Sequence, residues 1–144
     1  MRVGWTNWKD MWRAMAGKTA LIVDDDEAVR LFVSAILEGE GWRCLEAVNG
    51  EEAVDVAESE QPDLVVLDIN MPVMDGFEAF RRLRSSPFTE QIPVIMLTGV
   101  NADEGTSHDA GSVERDLGLP GPEGFVDKPV DAVFLLNCIM GVMG

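Results

Sequence analysis

Five short apolar runs recur along the chain: TALIVD at 19–24, WRCLEAV at 42–48, LVVLD at 64–68, PVIMLT at 93–98 and GFVDK at 124–128. Most are too short and too rich in β-branched residues to be helices, and they predict strands. Between them the apolar positions recur at three and four. Val29, Phe32, Ala35 and Ile36 mark a helix over 27–38, Ala53, Val54 and Ala57 one over 51–59, and Phe77, Phe80 and Leu83 one over 77–84. A last helix is expected over 131–140. Strands alternating with helices predict an α/β domain whose parallel sheet has right-handed crossovers and helices on both faces. All the strand carboxyl ends then share one edge, the edge at which ligands bind in such sheets.

Two stretches resist this pattern. The segment 99–123, GVNADEGTSHDAGSVERDLGLPGPE, holds five glycines and two prolines. Only a weak helix around 112–117 fits it, so a long loop or a distorted fourth helix is expected. The first 17 residues place Trp5, Trp8, Trp12 and Met15 at spacings of three and four, one apolar face of a helical extension. Such a stripe needs burial, on the domain itself, on a partner or in a homodimer. The alternative is a start of translation near Met15, which leaves the preceding residues unselected.

Composition narrows the class. At 144 residues, 47% hydrophobic and 26% charged, the chain suits one soluble domain over 18–144 with a core of its own. The formal net charge of −15 argues against direct nucleic-acid binding and against anionic membranes, and favours a cation or a basic partner surface. Cys44 and Cys138 lie too far apart for metal-type spacing and form no disulfide framework, which suits a reducing cytoplasm. No signal peptide is expected, because Lys9, Asp10 and Arg13 interrupt the N-terminus, and no membrane insertion, because the apolar C-terminal run is too short.

Four of the five strand ends carry reactive side chains. Asp24 and Asp25 follow the first, Asp68 ends the third, Thr98 the fourth and Lys128 the fifth. The second strand carries none, as expected of an edge strand with the first, third, fourth and fifth side by side. Two like charges about 4 Å apart repel by roughly 4 kcal/mol at an effective dielectric near 20, so three gathered acids call for a cation. Carboxylates, a loop carbonyl and waters make an oxygen shell suited to Mg²⁺, with Lys128 and the Thr98 hydroxyl facing the same spot for a tetrahedral anion. The DDDE stretch has a second reading: Asp24 or Asp25 caps the following helix, with Glu27 completing a capping box.

The motifs LIVDDDEAVR, LVVLDINMPVMDG, VIMLTG and FVDKPV together resemble the receiver domain of two-component response regulators, over about residues 18–143. The resemblance implies a flavodoxin-like (CheY-like) doubly wound five-stranded sheet of order 2-1-3-4-5. It also implies phosphoryl transfer from a sensor histidine kinase or phosphotransfer protein, and a downstream protein target. Asp68 matches the phosphoacceptor, Asp24 and Asp25 the acidic pair that holds Mg²⁺, and Asn70 the residue whose backbone carbonyl completes the shell. Thr98 matches the switch hydroxyl, Lys128 the phosphate-contacting lysine and Phe125 the switch aromatic; the Gly99 backbone N–H is a further phosphate donor. A cis Lys128-Pro129 bond is also implied.

One departure stands out. Thr98 follows Asp68 by 30 residues as in relatives, but Lys128 follows Thr98 by a further 30, several more than the family leads one to expect. The excess falls in 99–123, where the usual output face lies; His108 within it reads as a solvated loop residue. The reading is a phosphoacceptor domain with no output domain in this chain. Two rivals stay open: a receiver-like module that signals without phosphorylation, and an aspartate-nucleophile phosphatase. The latter typically needs a second acid two residues after its nucleophile, where this chain has Asn70.

Overall fold

The computed structural model describes residue 10 and residues 15–99 and 121–143. The tryptophan stripe at Trp5, Trp8 and Trp12, the weak helix at 112–117 and His108 lie outside the described residues. The elements run β1 (Thr19–Val23), α1 (Glu27–Glu38), β2 (Arg43–Ala47), α2 (Gly50–Glu60), β3 (Leu64–Asp68), α3 (Gly76–Ser85), β4 (Val94–Gly99), β5 (Gly124–Lys128) and α4 (Ala132–Met143). All five strands are parallel in the order β2-β1-β3-β4-β5, as the sequence predicts, with β2 at one edge.

Burial follows from position in the sheet. Central β3 is buried at every residue, whereas edge strand β2 has one buried residue, Ala47. Alternation along the strands sends Ile22, Val66 and Leu97 to one face, where they pack with Leu37 of α1 and with Leu135 and Ile139 of α4. Leu21, Leu67 and Met96 point to the other, against Ala53 of α2 and Phe80 and Leu83 of α3. Met15 belongs to the first of these cores and is 2% exposed.

Each of the first three helices begins on a polar cap. Asp26 accepts the Ala28 N–H at 2.9 Å, Asn49 the Glu52 N–H at 2.8 Å and Asp75 the Glu78 N–H at 2.9 Å. The cap of α1 is therefore neither Asp24 nor Asp25, which corrects the capping reading of DDDE. The chain must first turn out of β1, so the third acid of the run reaches the helix end and the first two stay at the strand edge.

The loop from β3 to α3 turns tightly at Val73, whose φ is 70°, with the Met74 N–H donating to the Pro72 carbonyl at 2.8 Å. A β-branched residue is strained in this region, and Val73, 79% exposed, gains no burial in return. Val73→Asn is expected to stabilise the protein by about 1 kcal/mol, since asparagine tolerates the left-handed region. An unchanged melting temperature would show that the turn relaxes at no cost.

Candidate functional site: an acidic cleft at the strand ends

Strand parity assembles the site. Asp24 follows β1, Asp68 closes β3 and Lys128 closes β5, each an even step from residues facing the α1 and α4 side, so their side chains emerge on the same face. Asp24 is 0% and Asp68 1% exposed, while Asp25 is exposed at the rim. Lys128 Nζ lies 2.8 Å from Asp24 Oδ2 and 3.1 Å from Asp68 Oδ1, bridging the two buried acids. The Lys128-Pro129 peptide is cis.

Hydrogen bonds hold the acids in place. Asp24 Oδ1 accepts the Asp26 N–H at 2.9 Å, and the Arg30 guanidinium donates to the Asp24 carbonyl at 2.7 Å while pairing with Glu46 of β2 at 3.1 Å. The Asn70 N–H approaches Asp68 Oδ1 at 3.4 Å. Behind Asp68, α3 starts hard against the strand. A Cβ on Gly76 would stand 2.3 Å from the Asp68 carbonyl oxygen and 2.7 Å from the Ile69 Cα, so only glycine fits there.

Electrostatics favour proton or cation uptake. Burial, and then the neighbouring Asp24 charge, raise the Asp68 carboxyl from 3.8 to about 6, against the opposing pull of Lys128. Burial alone would lower the Lys128 ammonium, but its bonds to Asp24 and Asp68 outweigh this and hold it above its usual range.

The residues fit a divalent ion. Oxygens of Asp24, Asp25 and Asp68 lie within 4.8 Å of one another. Asp24 Oδ2 is fully buried and accepts no well-aligned hydrogen bond; the ammonium 2.8 Å away is an ion-pair contact. Three carboxylates against one ammonium leave two negative charges, which an oxygen-seeking cation such as Mg²⁺ matches.

The other sequence-singled residues stand apart from these acids. Thr98, 6% exposed, has the opposite parity, and its hydroxyl donates to the carboxylate of Asp127. The sequence expectation had that hydroxyl facing the anion site with Lys128. Phe125 lies on the same side as Thr98, half-buried against the α2 and α3 core, and Met96 is its register partner. Gly99 ends β4, with the Asn70 side-chain nitrogen 3.8 Å from where its Cβ would be. Sequence reasoning overlooked Asp127 and Arg30. Only the first left a signal, an acid beside Lys128 and two residues from Phe125.

A doubly wound α/β domain with a buried acid, a bridging lysine and a cation-ready cleft at its strand ends belongs to the phosphoacceptor signalling domains. The chain is a member of the response regulator receiver domain family, whose model matches residues 20–139. It is 37% identical over 123 residues to Protein PilH of Pseudomonas aeruginosa, covering 85% of this chain and 95% of PilH. It is 42% identical over 90 residues to the phosphate regulon transcriptional regulatory protein PhoB of the same organism, 62% of this chain but 39% of PhoB. The chain thus spans well under half of that relative's length. Among solved structures it resembles the receiver domain of the sensor histidine kinase PA1611 from Pseudomonas aeruginosa, which has a magnesium ion coordinated in its active-site cleft. That likeness has a TM-score of 0.72 at 27% identity, over 90% of this chain and all of the other.

Proposed function

We propose that this receiver takes a phosphoryl group from a histidine kinase or phosphotransfer protein onto Asp68 and signals through the resulting change in its protein contacts. The observation that carries the reading is Asp68 itself, buried at the end of β3 with the Lys128 ammonium 3.1 Å from its oxygen. A carboxylate oxygen forms the new O–P bond as the donor's N–P bond breaks, and the imidazole leaves with the electron pair. Lys128 offsets charge on the phosphoryl oxygens, and the Asn70 N–H helps fix the attacking carboxylate. Asp24, Asp25 and Asp68, with the Asn70 carbonyl, would hold Mg²⁺, which when bound supplies positive charge for the phosphoryl oxygens. Thr98 and the Gly99 N–H are the remaining phosphate donors, and the turn of Thr98 makes room for Phe125 to move.

The test is incubation with acetyl phosphate and Mg²⁺ followed by intact mass: one added phosphoryl group is expected. No uptake while Mg²⁺ binding persists would favour a phosphorylation-independent module. Multiple turnover of phosphomonoesters would favour the phosphatase reading, which Asn70 in place of a second acid opposes.

A protein donor must bring its imidazole to Asp68, and the ground beside the cleft is apolar. A groove of about 300 Å³ is lined by Ala28, Val29, Phe32, Lys128, Pro129 and Val130, and helices α1 and α4 expose Leu31, Val133 and Phe134. Its continuity with Lys128 supports the phosphodonor as its occupant. Phe32→Asp is expected to slow transfer from a histidine kinase that loads the wild type by about tenfold, the effect of losing roughly 1.4 kcal/mol of contact. Uptake from acetyl phosphate should stay within about twofold. Equal slowing with both donors would remove the groove from donor recognition.

A further inference from the structure

Switching, on the phosphoacceptor reading above, needs the Thr98 hydroxyl, and that hydroxyl is engaged elsewhere. It donates to Oδ1 of Asp127, the residue opposite Thr98 in the β4–β5 register. In the sheet β4 lies between β3 and β5: Asp127 is directly opposite Thr98 on one side, while on the other Asp68 pairs with the preceding residue, Leu97. A threonine hydroxyl carries one proton and donates to one acceptor at a time. The carboxylate makes the present bond charge-assisted, hence stronger than a neutral one.

Asp127 also stands where the coupling would be felt. It shares its sheet face with Phe125, two residues before it on β5, and Phe125 packs on the α2 and α3 core. Thr98, Phe125 and Asp127 therefore form one cluster on the face opposite the acids and Lys128. The cluster exposes Asp127 to solvent while Thr98 is buried.

We propose that Asp127 is a latch: it holds the Thr98 hydroxyl toward β5, and a phosphoryl group on Asp68 must win that hydroxyl before Thr98 and Phe125 rearrange. Asp127 is thus a positioning residue that sets how readily the phosphorylated domain switches. A phosphoryl oxygen is itself a charged acceptor, so the exchange trades one strong bond for another, and loss of the first shifts the balance to the second.

The experiment is calorimetric titration with beryllofluoride, a tetrahedral phosphoryl mimic, in Mg²⁺ buffer. The wild type is compared with Asp127→Ala, Asp127→Asn, Thr98→Val and the double variant Thr98→Val with Asp127→Ala. Asp127→Ala is expected to bind about tenfold more tightly than the wild type. Asp127→Asn, which keeps an acceptor oxygen but no charge, should fall between them. In the Thr98→Val background the Asp127 exchange should change affinity by less than about twofold, because no hydroxyl remains to be released. An equal gain in that background would overturn the latch and leave simple charge repulsion. Unchanged affinity in Asp127→Ala would overturn it outright. Absence of binding in the wild type and Asp127→Ala alike would defeat the phosphoacceptor reading together with the latch, and is told apart from the other outcomes by the wild type alone.

Discussion

Exchange of Asp68 for asparagine is expected to abolish phosphoryl uptake from acetyl phosphate and, at pH 8 without divalent cations, to raise the melting temperature. The first loss should be complete, because the amide has no nucleophilic carboxylate oxygen. The gain in stability follows from the carboxyl's environment. Burial and Asp24 raise its folded-state value from 3.8 to about 6, so the folded protein holds this proton more tightly than the unfolded chain does. Below 3.8 the wild type bears no cost of ionisation. Between 3.8 and 6 the cost grows, and above 6 it is borne in full. A shift of that size corresponds to at most about 3 kcal/mol, and relaxation around the buried charge brings the expected gain to about 1–2 kcal/mol. Lys128 keeps Asp24 at 2.8 Å in the variant, so no charge is stranded. Thermal melts of both proteins in chelator at pH 8 and pH 4 check this. The advantage of the variant should shrink to a small remainder at pH 4, and a pH-independent advantage would refute the ionisation account. Millimolar Mg²⁺ should raise the wild type more than the variant.

The second large effect lies at the far end of the sheet. Glu123→Ala is expected to cost about 2–3 kcal/mol, a buried-pair loss discounted because the Glu123 side chain is itself 38% exposed, and to lower the melting temperature by roughly 10 °C. Arg84 is the reason. Its side chain is 5% exposed, donates to the Ile92 carbonyl at 2.7 Å and to both Glu123 oxygens at 2.8 and 2.7 Å, and lies 4.8 Å over the Phe80 ring. Glu123 Oε2 also accepts the Val94 N–H at 2.6 Å, at the start of β4. Loss of Glu123 leaves a buried guanidinium without its counter-charge and a strand N–H without its acceptor. Glu123→Gln, which keeps the acceptor but not the charge, should cost less. Arg81 and Arg82 of the same helix pair with Glu78 on an exposed face, and Arg82→Ala serves as the control with little change. A melting temperature for Glu123→Ala equal to that control would refute the clamp.

The strand order was legible because a buried parallel strand is a nearly unbroken apolar run, and because only β2 lacked a functional side chain at its end. Asp24, Asp25, Asp68 and Lys128 were legible as a group for the same reason: parallel strands bring their carboxyl ends to one edge whatever the loops do. What escaped depends on choices that sequence spacing does not record. Asp26 caps α1 because of the path of one turn. The Thr98 hydroxyl meets Asp127 because the β4–β5 register sets the two residues opposite each other, and that register is not written in either strand alone. Arg84 looks like a solvated residue between Leu83 and Ser85, and its partner Glu123 is 39 positions away with no local pattern joining them.

Gly99 is fixed opposite Lys128 on β5, and Glu123 is fixed by its N–H to the Val94 carbonyl at 2.9 Å and by Arg84. The interval between them is thus bounded by two anchors that belong to the sheet. Each doubling of such a connection costs only about 0.6 kcal/mol of closure entropy. In evolutionary terms the chemistry and the connection are separately heritable: mutation can rewrite the length and composition of this interval while Thr98 and Lys128 stay where they are.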